Sequence, residues 1–265
     1  MIVTLLTDFG GADYFVGAMK GAILSADPRA VLVDLTHEIP PFDVEAAAYT
    51  LLAACEAFPP GTVHAAVVDP GVGSERRALA AECAGHFFVG PDNGLFSYAF
   101  ERGRGAPRVF HLTNREYFRQ SVSTTFHGRD VFAPVAGTLS AGVALDELGE
   151  EIADWVRLAP LAPARAADGS LEARVIHVDR YGNCVANVTR AELTDEQIAR
   201  GLRVEAGGHI VTDFRRFFAD AADETGAPFA FWGSAGFLEL AAFRDSAARL
   251  LQLTRGQAIR VTVKN

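Results

Sequence analysis

The chain holds little that would tie it together covalently or gather it around a metal. Only three of its 265 residues are cysteine, Cys55, Cys83 and Cys184, far apart and odd in number. With no C-x-x-C pair, neither a disulfide framework nor a zinc cluster is indicated. Runs of Lys and Arg long enough to track a phosphate backbone are missing, and the formal net charge is −9, so nucleic acid is not an expected partner. No apolar stretch reaches membrane-spanning length. The opening residues, IVTLLTDFG, show neither a basic n-region nor a small-residue cleavage site, so a cytoplasmic protein is expected. Gly71 and Gly73 form a Gly-x-Gly, but no Lys-Ser/Thr follows and the third Rossmann glycine is missing. The segment WGSAGFLEL is not G-x-S-x-G, so a nucleophile elbow is not supported. What remains is a cored protein: 49% hydrophobic and 22% charged, which excludes a disordered chain.

Apolar strands and helical stretches alternate through the first half. IVTLL reads as a buried strand, GADYFVGAMKGAILSADP as a helix closed by Pro28, and AVLVDLT as a second strand. FDVEAAAYTLLAACEAF places Val44, Ala47, Ala48, Leu51, Leu52 and Cys55 on one helical face. TVHAAVVD is a third strand, and ALAAEC and HFFVG follow. This order predicts parallel βαβ units with right-handed crossovers. RLAPLAPARAADGS, residues 157–170, is Ala- and Pro-rich without periodicity and reads as a linker. Beyond it come short β-like runs separated by turn glycines. The expected organisation is an α/β domain over 1–160 with a central, mainly parallel sheet, then a small all-β domain over 171–265.

Ligands of open α/β sheets collect at the carboxyl ends of the strands. Asp8 ends the first, Thr36 and His37 the second, and Asp69 the third. Asp8 could cap the following helix or accept two hydrogen bonds from a ribose diol. In VVDPGVGSERR an abrupt turn brings Asp69 near Arg76 and Arg77; a loop salt bridge is the plainest account. If that segment is extended, Arg76 and Arg77 point opposite ways. In STTFHGRD, His127 lies in a loop and Asp130 could cap the next helix. Asp8, Asp69, Asp92, His127 and Asp130 would also suit an oxygen-rich metal site. VDRYGN places Asp179, Tyr181 and Asn183 alternately, as on one strand face, although a turn with an aromatic over it fits too. Ser234 lies between glycines whose N–H groups could hold a carboxylate.

Seven stretches in order, LLTDFG, THEIPPFDVEAAAY, GTVHAAVVDPGVGSERR, FVGPDNGLFS, TFHGRDVFAPVA, VDRYGNCVANV and GSAGFLELA, resemble the S-adenosyl-L-methionine (SAM) hydroxide adenosyltransferases, or SAM hydrolases. These are relatives of the SAM-dependent fluorinase and chlorinase. The resemblance spans essentially the whole chain. It implies a C-terminal β-barrel and a homotrimer whose sites lie at subunit interfaces. It also implies SAM as substrate, adenosine as a product ligand, and no cofactor or metal.

By the same resemblance Asp69, Arg76 and His127 act on a water or hydroxide. The methionine thioether leaves a sulfonium readily, so no acid is needed; an oxygen nucleophile held in line is. Halogenating relatives carry tyrosines at the positions matching Asp69 and His127, and a loop insertion this chain lacks. Asp69 would also repel a bare halide. The resemblance assigns Asp8 to the ribose hydroxyls, Phe42 to packing on the substrate, Asp179 to the methionine ammonium and Ser234 to its carboxylate. Tyr181, Asn183 and Phe218 would hold adenine. Ser246, Ala247 and Ala248 stand where the family often has Asn-Ala-Ala, so a side-chain amide contact is lost and backbone contacts at Ser246 and Ala248 remain. The competing readings are a halogenase of the same family, a metal-dependent phosphoesterase using Asp8, Asp69, Asp92 and His127, and a non-catalytic SAM or adenosine binder.

Overall fold

Strand-forming runs at the start of the chain pack between helices on both faces. The structure, a computed structural model, describes residues 1–103, 105–218 and 226–264. One compact unit ends at Ala159 and a second begins at Pro160.

The first unit is built from β1 (Ile2–Thr7), α1 (Phe15–Ala26), β2 (Val31–Thr36), α2 (Val44–Cys55), β3 (Val63–Val67), β4 (Ala78–Cys83), β5 (His86–Pro91), α3 (Ser97–Arg102), β6 (Arg108–Leu112), α4 (Ala133–Ser140) and β7 (Gly149–Ile152). A π-helical turn, Gly128–Phe132, leads into α4. The seven strands form one sheet in the order β2-β1-β3-β5-β4-β6-β7. Pairings from β2 to β5 are parallel, and those from β5 through β4 and β6 to β7 are antiparallel. The sheet is therefore mixed, where a mainly parallel one was expected. The cause is the β4–β5 hairpin, whose two-residue turn puts Ala84 and Gly85 at positive φ.

Both faces of the parallel half are covered, which is why β1 and β3 are buried nearly throughout rather than on alternate residues. Val3, Leu5, Ala65 and Val67 pack with Met19 and Ile23 of α1 and with Phe132, Val135 and Leu139 at α4. Leu6, Ala66 and Val68 pack on the other face with Ala47, Leu51 and Cys55 of α2 and Phe100 of α3. Each fully buried leucine, such as Leu5 or Leu51, contributes roughly 2 kcal/mol by leaving water. Asp43 caps α2, its carboxylate accepting from the Ala46 N–H at 3.0 Å. The helical face read from the sequence is the buried one: Ala47, Ala48, Leu51, Leu52 and Cys55 are buried, with Val44 packed against them.

The second unit holds β8 (Ala164–Arg165), β9 (Leu171–Val178), β10 (Cys184–Thr189), α5 (Asp195–Gly201), β11 (Leu202–Ala206), β12 (His209–Val211), β13 (Phe229–Trp232), β14 (Phe237–Ala241), α6 (Ala247–Leu250) and β15 (Ala258–Val263). Its strands pair antiparallel in the order β12-β11-β15-β9-β10-β14-β13, with β8 on β9. A bridge from Phe214, just past β12, to Ala230 of β13 nearly joins the two edges, so the sheet is barrel-like. Val175, Ala186, Val204, Leu238 and Leu240 fill its core. All three cysteines are buried and free. Burial pushes the Cys55 and Cys184 thiols up to about 11, and raises that of Cys83.

Candidate active site

In the first sheet β1 leads to β2 on one side, and the chain then returns to β3 on the other. The carboxyl ends of β1 and β3 thus flank a topological switch point, where α/β sheets open a crevice. Asp8 follows β1 and Asp69 lies two residues past β3. The crevice is a cavity of about 290 Å³ lined by Asp8, Phe42, Asp69 and His127, with Phe9, Phe15, Val72 and Phe126 as apolar walls. The last four were not singled out from sequence as lining residues; they are core-type residues whose only signal was proximity to the polar ones.

Asp69, Arg76 and His127 meet directly. Arg76 Nε donates to Asp69 Oδ1 at 2.8 Å and to Oδ2 at 3.1 Å, and its Nη2 also donates to Oδ2. The same Nη2 lies 2.9 Å from His127 Nδ1. The Arg76 guanidinium sits over the Phe132 ring, 5.1 Å from its centroid. The Asp69 and Arg76 side chains are only 6% and 11% exposed, so this ion pair is far less screened than a surface bridge. His127 titrates below the ordinary imidazole value, first because it is partly buried and then because of the Arg76 charge. Local geometry requires Gly73. Its φ is +79°, and a Cβ there would lie 2.3 Å from the Thr124 carbonyl oxygen. The turn after β3 thereby packs on the segment that carries His127.

Arg77 points elsewhere, as an extended segment requires. It donates to Asp92 and Asp154, each at 2.8 Å. Asp92 also accepts from the Val156 N–H at 2.8 Å, so it is engaged by Arg77 and not turned toward Asp69. Among the described residues no three His, Cys, Asp or Glu side chains are grouped as a metal site would need. Asp130 is fully buried and accepts from the Ser123 N–H and from Arg129; it braces the segment before His127 and does not cap a helix. Nor does Asp8 cap α1, which begins seven residues later at Phe15 with no side-chain cap. Asp8 Oδ2 instead accepts from the Phe42 N–H at 2.8 Å. Phe42 has φ +67° and is 72% exposed, so this contact holds a strained residue at the rim.

In the second unit Asp179, Tyr181 and Asn183 do not share a strand face. They form the turn between β9 and β10, closed by Gly182 at φ +82°. Asp179 Oδ1 accepts from the N–H groups of Tyr181 and Asn183 at 2.9 and 2.8 Å, and Oδ2 accepts from Asn183 Nδ2 at 2.8 Å. The Asp179 carboxylate, satisfying the turn's own N–H groups, outweighs the alternating pattern. Ser246 caps α6 by accepting from the Arg249 N–H, and the Ala248 N–H donates to the Gly182 carbonyl. These contacts seat the 179–183 turn on the α6 start. Tyr181, Asn183, Phe218 and Ser246 then line a hollow of about 570 Å³, together with Arg244 and Asp245, which sequence reasoning did not pick out. Ser234 is exposed in the turn between β13 and β14. Glu239 of β14 was also missed. Burial, and secondarily the Asp179 charge, raise its carboxyl to about 7.

The family profile described as the SAM hydroxide adenosyltransferase N-terminal domain matches residues 3–149, and that of the C-terminal domain matches 173–260. A protein named (R)-S-adenosyl-L-methionine hydrolase from Methanocaldococcus jannaschii is 37% identical over 95% of this chain and 92% of its own length. One of the same name from Thermus thermophilus is 39% identical over 98% of both chains. A fluorinase from Nocardia brasiliensis is 28% identical over 99% of this chain and 97% of its own. The crystal structure of an uncharacterized conserved protein from Thermotoga maritima superposes with a TM-score of 0.88, at 33% identity and covering 98% and 99% of the two chains. Two domain profiles in register and full-length relatives well above 30% identity agree: the chain belongs to the SAM hydroxide adenosyltransferase family.

Proposed function

We infer that this protein is a SAM hydrolase: water or hydroxide attacks C5′ of the adenosyl group, and adenosine and L-methionine are released. The observation that carries this reading is the bonded set Asp69–Arg76–His127 beside a cavity at the carboxyl ends of β1 and β3. A fixed guanidinium stabilises an oxygen nucleophile, and a carboxylate locked to it sets its orientation. The same carboxylate disfavours a halide in so dry a site, and the relatives named as hydrolases are more similar to this chain than the fluorinase.

Further roles follow as parts of the same proposal. Asp8 takes the ribose hydroxyls with the oxygen not engaged by Phe42, and Phe42 packs on the substrate. Asp179 meets the methionine ammonium and Ser234 its carboxylate. Tyr181, Asn183 and Phe218 hold adenine, with Ser246 and Ala248 offering backbone groups. The reaction uses no metal or other cofactor. The protein works in the cytoplasm as a homotrimer in which each substrate meets residues of two subunits, with the division falling between 1–160 and 171–265. At SAM concentrations well below the KM of Asp179→Ala, subunit exchange between inactive Asp69→Asn and low-affinity Asp179→Ala proteins then raises activity above that of either alone; a fully active monomer overturns that assembly.

The relatives' names specify the (R) epimer, and we extend that preference to this chain. The test supplies the (R) and (S) epimers separately in ¹⁸O-water and chromatographs the products. The expected result is adenosine labelled at its 5′-hydroxyl, formed faster from (R)-SAM and unchanged by EDTA. Unlabelled adenosine, or S-adenosylhomocysteine as product, overturns hydrolysis at C5′. Loss of activity on chelation favours the metal-dependent reading, and tight binding without turnover favours a sensor.

A further inference from the structure

The contact between Arg76 and His127 fixes more than a position. A guanidinium has five N–H donors, no acceptor, and does not deprotonate in a protein. Its Nη2 lies 2.9 Å from His127 Nδ1, so Nδ1 must be the acceptor, with its lone pair occupied. A neutral imidazole carries one proton, and here that proton has to sit on Nε2. The hydrogen bond that holds the ring is at Nδ1, and His127 lines the cavity, so Nε2 is left for a ligand there. We propose that His127 serves the nucleophile as a neutral Nε2–H hydrogen-bond donor, and that Asp69, not His127, takes the proton that the attacking water loses. The assignment rests on the hydrolase reading above and divides the labour within it.

The chemistry balances with a weak acceptor. One lone pair of the water accepts from His127 Nε2–H, one of its O–H bonds donates to Asp69, and the second lone pair is left for C5′. As C5′–O forms, C5′–S breaks and its electron pair goes to sulfur, giving the neutral thioether of methionine. The oxygen is then a protonated alcohol, a far stronger acid than a carboxylic acid. It loses its proton to Asp69 without help from a strong base, and Asp69 returns that proton to solvent. Among the described residues the Asp69 carboxylate accepts hydrogen bonds from Arg76, and lone pairs remain for this step. His127 could accept a proton only at Nδ1, and that would set an imidazolium against Arg76.

The charged groups around His127 are Arg76 and Asp69 from the turn after β3, Asp130 and Arg129 on its own segment, and Asp8 across the cavity. Arg76 and partial burial favour the neutral ring, and the two nearer carboxylates oppose them less strongly. Catalysis therefore fails as pH falls through a value below the ordinary imidazole pKa of 6.5. A base at His127 gives the same acid limb, so the profile alone does not discriminate. Glutamine does. Its amide offers one acceptor for Arg76 and one N–H for the water, but it cannot take up a proton.

The experiment measures kcat against pH for the wild type, His127→Gln and His127→Ala. Removing a donor to the reacting oxygen lowers kcat in His127→Ala by roughly 10²-fold. His127→Gln is expected to recover about tenfold or more of that loss and to lack the His127 acid limb. If His127→Gln is as slow as His127→Ala while both bind SAM like the wild type, His127 is a base and the proposal fails. ¹⁵N–¹H spectra of the histidine rings give a readout independent of turnover. The signal absent from His127→Gln should report a proton on Nε2 and none on Nδ1; the reverse tautomer overturns the assignment. A wild type that does not hydrolyse SAM sinks the functional reading instead, and leaves the tautomer result standing.

Discussion

The two hollows are organised in opposite ways. In the first unit the polar groups are already joined: Asp69, Arg76 and His127 bond one another, and the ion pair is nearly closed to solvent. In the second unit the groups assigned to adenine stand open. Tyr181 is 79% exposed, and Phe218 and Arg244 are exposed beside it. Charges that must stabilise a reacting oxygen gain from being fixed beforehand, because no reorganisation is then needed during the reaction. An aromatic that stacks on a base gains its energy when the ligand covers it. On the proposed assignments the first hollow serves chemistry and the second capture, and their variants should fail differently.

The sharpest separation is expected at Arg76. Arg76→Ala should lower kcat by roughly 10²-fold or more while SAM binding by calorimetry changes little, since the anchors proposed for adenine, ribose and methionine are other residues. A large loss of affinity with kcat intact would erase the contrast. Asp179→Ala is the mirror case. Its KM should rise about tenfold or more, as expected when a charge-assisted contact to an ammonium is removed, with a smaller change in kcat. Because Asp179 also satisfies the 179–183 turn, Asp179→Asn separates charge from turn: it should keep the fold and still lose affinity.

Acid should act on the first unit through a different histidine. His64 is fully buried, bonded to Thr4 at 2.7 Å and to His86 at 3.2 Å. Burial, and then the His86 charge, push its pKa down to about 3. The unfolded chain binds a proton near 6.5 that the folded chain refuses, so stability falls as pH drops from about 6.5 toward 3. At pH 5 the loss amounts to about 2 kcal/mol. Denaturant melts of His64→Gln against the wild type between pH 7 and 5 check this; parallel slopes would refute it. The smallest catalytic effect is expected at Arg77. Its partners, Asp92 and Asp154, lie away from the cavity, so Arg77→Ala should leave kcat within about threefold and cost mainly stability. An inactive Arg77→Ala beside a near-normal Arg76→Ala would exchange the roles of the two arginines.

Much of the first unit was legible because its signals are local. Mainly apolar runs marked β1 and β3, an apolar helical face marked α2, and the residues just past the strands were the ones that met. Strand direction beyond β5 was not legible. An Ala-Gly turn at 84–85 lacks the Asn-Gly or Asp-Gly signal of a tight hairpin, so nothing announced the antiparallel half. At 179–183 the turn reading holds and the alternation does not, because Asp179 turns its carboxylate back on its own backbone and Gly182 takes a positive φ against Ser246. The apolar walls at Phe9, Phe15 and Phe126 were hidden for another reason. A phenylalanine that lines a cavity and one that fills a core look alike in sequence, and only the tertiary arrangement divides them.

The burial of Cys55, Cys83 and Cys184 makes the molecule silent toward alkylating reagents at neutral pH, since thiolate is scarce and shielded at all three. A single cysteine placed at Val72, on the turn between Asp69 and Arg76 and at the cavity wall, would be the lone site for a maleimide dye. Fluorescence from that position would report a substrate entering the cavity in real time, with no need to remove a native thiol first.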